Sequence, residues 1–341
     1  MSQLVISSLS QKETLEAGVD AFDVALGYVN DDTRSIKNLL SVRSLAKKRI
    51  AFIRSRDGKD PFDPKQEQHD ACIKKLRGFQ CVEWTEQVLK ELVDALYDVA
   101  ATRDDRWVSC YIDVSAIHRT WLAELLYRLR FLVEQDVTIR VTLGYRLAKY
   151  TKPTTQDAPP NRRVSPVHFE LAGWPRSPGM PVHVLVGLGY ERGKALGAVE
   201  YIQPAQWRLF VPVSPEEKFM AQVQLQNREL LDGTREGDVF VYNVLDPAGQ
   251  YVMLHSMLKG MVADTKPVLL PFGPKIFFAV SVILGLQFPE VSVWHVSGEE
   301  QAEPDQKRPT AHSVHFSFAM SVQHISSKAD ADIGIDDTSD D

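Results

Sequence analysis

The residues best placed for chemistry are Asp113, Ser115 and Arg119, which follow the apolar run WVSCYI in the pattern D-x-S-x-x-x-R. A carboxylate and a hydroxyl at a strand end, with a guanidinium one turn into the next helix, suit a phosphate or a ribose. The simpler alternative is that Asp113 or Ser115 caps the helix and Arg119 is solvated. Gly273-Pro274-Lys275, after PVLLPF, sets a lysine at a helix start where it can hold a phosphate or carboxylate. Equally, these are a turn glycine, a proline suited to a helix start and an exposed lysine. Tyr190, Glu191 and Arg192 occupy a third corner, where Tyr190 can stack on a base or seal the strand end. Asn243 and Asp246 occupy a fourth, and Asp246-Pro247 also reads as a turn and cap.

No stronger motif competes with these corners. The sequence lacks G-x-x-x-x-G-K-[ST], G-x-G-x-x-G, HExxH and G-x-S-x-G, so it identifies no catalytic residue, metal ligand or cofactor. Cys72, Cys81 and Cys110 form no CxxC pair, and an odd count fits a reduced, cytoplasmic protein. His295, His312 and His315 can meet only if their strands pair, and without a metal-binding spacing a structural role is expected. The formal charge of -6 argues against general nucleic-acid binding, and the apolar run 276–286 is shorter than the roughly 20 residues of a membrane span.

The elements that position these corners alternate. Apolar runs at 22–26, 49–54, 80–84, 107–113 and 137–143 are separated by helical patterns near 36–40, 65–76, 86–100 and 116–133. After a stretch rich in proline, the alternation resumes with strands at 182–188, 207–213, 238–244, 268–272, 291–296 and 312–318. Strands interleaved with helices predict an α/β fold, here two Rossmann-like lobes with mainly parallel sheets. The expected divisions are a loose lead-in over 1–18, a first lobe over 19–150 and a Pro-rich connector over 151–181. A second lobe over 182–325 and an acidic tail over 326–341 complete them. Gly27-Tyr28 and Gly144-Tyr145 read as turns at strand ends, and the run 276–286, apolar on nearly every face, predicts a sandwiched helix.

The order of elements invites a duplication, a covalent pseudo-dimer with its ligand cleft between the halves. A slide of about 130 residues aligns Asp113 with Asn243 and VTIRVTL with PVLLPF, and it requires an insertion near 56–87 to match Gly27-Tyr28 with Gly189-Tyr190.

The pattern D-x-S-x-x-x-R after an apolar strand resembles the ligand motif of the CRISPR-associated Rossmann fold family, over about 25 residues. That resemblance implies dimerised Rossmann-like lobes binding oligoadenylates, a second-messenger sensor in a defence or signalling system, and it carries over only Asp113, Ser115 and Arg119. The second half departs from it, with Asn243, Leu245 and Gly249 where the trio would stand.

The resulting expectation is a cytoplasmic, non-catalytic sensor of a nucleotide or other phosphorylated small molecule. Asp113, Ser115 and Arg119 form one wall, and Tyr190, Glu191, Arg192, Asn243, Asp246, Gly273 and Lys275 supply the other. An enzyme acting on a phosphorylated small molecule, with Asp113, Glu191 and Asp246 as acid-base groups, is the rival. A subunit that works through a protein partner or as a homo-oligomer is the third reading.

Overall fold

The computed structural model describes residues 2–16, 20–30, 32–53, 64–151, 161, 163–297 and 307–324. The first half runs β1 (Ser2–Lys12), β2 (Phe22–Val29), α1 (Thr33–Ser41), β3 (Ala46–Ile53), α2 (Pro64–Lys75) and β4 (Gln80–Glu83). It continues through α3 (Glu86–Ala101), β5 (Trp107–Asp113), α4 (Arg119–Glu134) and β6 (Thr138–Ala148). The second runs β7 (Arg163–Pro166), β8 (Val182–Gly187), α5 (Lys194–Ile202), β9 (Gln206–Val213), α6 (Glu217–Gln226) and α7 (Arg228–Asp232). It closes with β10 (Val239–Asn243), α8 (Pro247–Met261), β11 (Lys266–Pro271), α9 (Lys275–Gln287), β12 (Ser292–Ser297) and β13 (Pro309–His324).

Two mainly parallel sheets result, ordered β1-β13-β6-β5-β2-β3-β4 and β10-β9-β8-β11-β12-β7. In both, the parallel strands stand in the order third, second, first, fourth, fifth, as in a doubly wound fold. The central strands need cover on both faces, and β2 is buried along its whole length. Each helix supplies cover from one apolar stripe, as α3 does with Leu89, Leu92, Leu96 and Ala100.

The sixth strand of each set is exchanged. β7 follows β6 in the chain yet pairs antiparallel with β12. β13 follows β12 yet pairs antiparallel with β6. The expected second lobe therefore loses the strand around 312–318 to the first sheet, and the expected connector contributes a strand to the second. His168–Leu171 forms no edge strand; a 3-10 turn occupies Phe169–Leu171.

The lead-in expectation also fails, because Ser2–Lys12 is the edge strand paired with β13. Its alternation of apolar residues is broken by a bulge between Ser7 and Ser10, where Ser8 takes a φ of 54°, and that hides the strand from a period-two reading. The two Gly-Tyr pairs lie inside β2 and β6 rather than in turns. Gly27 admits Leu39 of α1, whose methyl carbons lie 2.9 Å from where a Cβ would stand, and Gly144 admits the ring of Tyr111. The acidic tail falls outside the described residues.

Corresponding elements fix the true repeat. β2 begins at Phe22 and β8 at Val182, β3 at Ala46 and β9 at Gln206, β5 at Trp107 and β11 at Lys266, so equivalent residues lie about 160 apart. The slide of 130 was one βα unit out, and no insertion is needed. The counterpart of the Asp113 corner is the Phe272–Lys275 turn, not Asn243.

Helix α9 is the keystone of the core, as its composition predicted. All eleven residues from Ile276 to Leu286 are buried, covered by α4, α8, β1, β6, β11 and β12 from both halves. One apolar cluster runs from Leu89 and Leu126 through Phe277 and Ile283 to Leu254 and Phe316. With the core shared and strands exchanged, the lobes should unfold together. Ile283→Ala should lower stability by about 2–5 kcal/mol and keep a single calorimetric transition. Two separated transitions would contradict the shared core.

Candidate functional site

In this strand order the first and fourth strands are neighbours whose connections leave in opposite directions, opening a crevice at their carboxyl ends. The first lobe has its crevice after β2 and β5, the second after β8 and β11. Because α4 packs on α9, the two crevices meet. They enclose a cavity of about 200 Å³. All four loops reach it: Arg34 follows β2, Arg119 follows β5, Gly189, Tyr190 and Glu191 follow β8, and Gly273, Pro274 and Lys275 follow β11. Tyr145, Ser214, Phe219 and Lys307 complete much of the wall.

The second-lobe loops approach closely because they carry glycine. A Cβ on Gly273 would stand 2.6 Å from the Leu188 carbonyl oxygen, and one on Gly189 would stand 3.0 Å from that of Phe272 and closer still to the Glu191 carboxylate. Larger residues would push the two turns apart.

Asp113 and Ser115 lie behind the wall, not on it. Asp113 is 0% exposed and accepts hydrogen bonds from Asn38 Nδ2 at 2.6 Å, from the Ser115 amide at 3.1 Å and from Ser115 Oγ at 3.1 Å. Ser115 Oγ accepts from the Arg146 amide at 3.0 Å, and Arg146 Nε donates to Asn38 Oδ1 at 2.8 Å. The Ser115 carbonyl accepts from Arg34 Nη2 at 2.7 Å. Arg34 also forks onto Asp32, with Nε 2.9 Å from Oδ1 and Nη2 2.5 Å from Oδ2, while Asp32 caps α1 through the Arg34 amide. The Asp113 corner therefore fixes Arg34, and Arg34 faces the cavity. Neither Asp113 nor Ser115 caps α4, which starts at Arg119 after His118 without a side-chain cap.

Arg119 crosses between the lobes. Its Nη2 donates to the carbonyl oxygens of Phe272 at 2.8 Å and Gly273 at 2.7 Å, while the buried Nε has no partner. Lys275 opens onto the cavity at the first position of α9 and has no hydrogen-bond or ion-pair partner among the described residues. Burial, then repulsion from Arg34, Arg119 and Lys307 against the pull of Asp32, pushes its ammonium well below the usual lysine range. Lys307 Nζ stands 5.5 Å from the centre of the Tyr190 ring. The N-terminus of α9 lacks a side-chain cap too, whereas Thr85 and Asp246 cap α3 and α8.

Of the residues expected from sequence, Arg119, Tyr190, Glu191, Gly273 and Lys275 come together here. Asn243 instead closes a turn, accepting from the Leu245 amide at 2.9 Å, and Asp246 accepts from the Gly249 amide at 3.0 Å. Arg192 is exposed outside the cavity wall. Sequence reasoning missed Arg34, Tyr145, Ser214 and Lys307. Arg34 lies two residues after the α1 cap Asp32, at the first strand-to-helix corner, so the strand order would have singled it out. Lys307 lies between the expected strands 291–296 and 312–318, in a stretch with no apolar pattern to place it. Among the described residues, no three His, Cys, Asp or Glu side chains gather as a metal-binding group, and no helix is long and apolar enough to cross a membrane. Compared with protein-family models and with curated proteins, the sequence matches none.

Burial raises the pKa of Asp113 to about 6, against the hydrogen bonds from Asn38 and Ser115 that favour its charged form. The folded state thus holds this proton more tightly than the unfolded chain does. The burden of a charged Asp113 is complete above pH 6 and is relieved as pH falls through 6 towards the unfolded value near 4. Relative to Asp113→Asn, which cannot titrate, the wild type should gain about 3 kcal/mol over that window in urea unfolding. A flat difference would contradict the buried carboxylate.

Proposed function

We propose that the protein senses a nucleotide or another phosphorylated small molecule, held in the cavity between its two lobes without turnover. The observation that carries this reading is the charge of the wall. Arg34, Arg119 and Lys307 face one lining carboxylate among the described residues, Glu191, with Asp32 paired to Arg34, and Lys275 adds a further positive charge when it is protonated. Donors without partners at Arg119 Nε and Lys275 await an acceptor-rich ligand. Tyr190 offers a ring face to a base.

The resemblance of D-x-S-x-x-x-R to CRISPR-associated Rossmann fold domains points the same way and suggests a place in signalling or defence. In this chain the trio divides its work: Arg119 lines the cavity, while Asp113 and Ser115 hold Arg34. Of the three acids an acid-base enzyme would use, only Glu191 reaches the cavity, which favours binding over turnover.

Isothermal titration against a panel of nucleotides and oligonucleotides tests the reading. Lys275→Ala should weaken binding by at least about tenfold, since a charge-assisted hydrogen bond contributes about 1.5–3 kcal/mol. Undiminished affinity in Lys275→Ala would remove the proposed wall. A bound phosphate should also favour the charged form of Lys275 that burial disfavours. Binding should therefore take up protons and tighten as pH falls, measurable from the heat in buffers of different ionisation enthalpy.

A further inference from the structure

Lys275 has more to offer than charge. It is the first residue of a buried helix, it opens onto the cavity between the lobes, and no side chain or carbonyl among the described residues receives its hydrogen bonds. Lys275 is partly buried, and a lysine drawn out of water only as a fixed cation would ordinarily be paired with a carboxylate. Glu191 shares the wall but makes no ion pair with it, and of the charged groups acting on it three, Arg34, Arg119 and Lys307, are cations against one anion, Asp32, which is itself paired with Arg34. An amine set in a cavity beside other cationic groups is the environment of a lysine nucleophile.

We infer that the Lys275 amine takes up the carbonyl group of a phosphorylated aldehyde as an imine, a deepening that rests on the anion-binding reading of the same cavity. The nitrogen lone pair adds to the carbonyl carbon, the C=O pair moves onto oxygen, and an amine proton is transferred there to give a carbinolamine. Loss of the hydroxyl with the second amine proton releases one water and leaves C=N, with no change of oxidation state. Glu191 is the wall's acid-base group for carrying those protons. Arg34, Arg119 and Lys307 remain for the phosphate. The depressed pKa of Lys275 supports the assignment, because an ordinary lysine near 10.4 is almost wholly protonated at neutral pH.

The test uses the full chain, pyridoxal 5'-phosphate as the probe, borohydride trapping and peptide mapping by mass spectrometry. Pyridoxine 5'-phosphate, which has the phosphate but no aldehyde, serves as competitor. We expect one trapped group per chain on Lys275, at least about tenfold above any other lysine, suppressed by the competitor. Lys275→Arg and Lys275→Met, with folding checked by circular dichroism, should lose the adduct, and Lys275→Arg should keep affinity for pyridoxine 5'-phosphate. Label spread over exposed lysines such as Lys47, with Lys275 unmodified, would overturn the inference. If pyridoxine 5'-phosphate binds in the cavity and Lys275 still resists trapping, the imine falls while the anion reading stands. Trapping at Lys275 that the phosphate competitor does not touch would keep the reactive amine and remove the anion reading.

Discussion

Helix α9 has no polar face, and a helix apolar all round must be covered all round. Its own sheet can cover only one side, through β11 and β12. The remaining sides are taken by α8, α4, β6 and β1, three of them from the first half of the chain. That requirement fixes how the lobes sit together. The equivalent helix α4 lies against α9, and the two loops that start these helices are brought to one place. The cavity is a consequence of this packing, as is the reach of Arg119 into the carbonyls of Phe272 and Gly273. The exchanged strands β7 and β13 reinforce the arrangement, since each completes the sheet of the other half.

The same packing sets the electrostatics. Bringing four strand ends together inside a protein removes much of the water from the charges there, and fully buried charges survive only when paired or hydrogen-bonded. Arg34 meets the condition with Asp32 and two backbone carbonyls. Asp113 meets it with Asn38 and Ser115, at the cost of a pKa raised to about 6. Arg119 meets it in part, and Lys275 does not. Structure and charge therefore diverge at the turn after β11, where Lys275 has no hydrogen-bond or ion-pair partner among the described residues. The proposed recognition of an anion, or of a group that reacts with an amine, would give that amine its use.

Much of this was legible in the sequence, and the failures share a physical cause. Alternating apolar runs and amphipathic helices gave the α/β lobes, and the all-apolar run 276–286 announced the buried helix. Arg119, Tyr190, Glu191, Gly273 and Lys275 were reachable because strand-to-helix corners are where such folds place ligands. Arg34 was not, because only the strand order tells which corners meet. The repeat was misread for the same reason: βα units look alike, so a slide one unit out still matches strands to strands. β1 escaped notice because its bulge breaks the alternation, and the exchanges of β7 and β13 have no local signature at all. Asp113 was found for its type and position, yet its burial turned it from a ligand contact into the residue that sets Arg34 in place.

The central claim is that the crevices of both lobes form one anion site. Crystals soaked with tungstate, a strongly scattering analogue of phosphate, test it most directly. The account predicts an anomalous peak in the cavity within hydrogen-bonding reach of Lys275 and Arg34, absent from Lys275→Met crystals. Peaks confined to surface lysines and arginines, with the cavity empty at the same concentration, would contradict it.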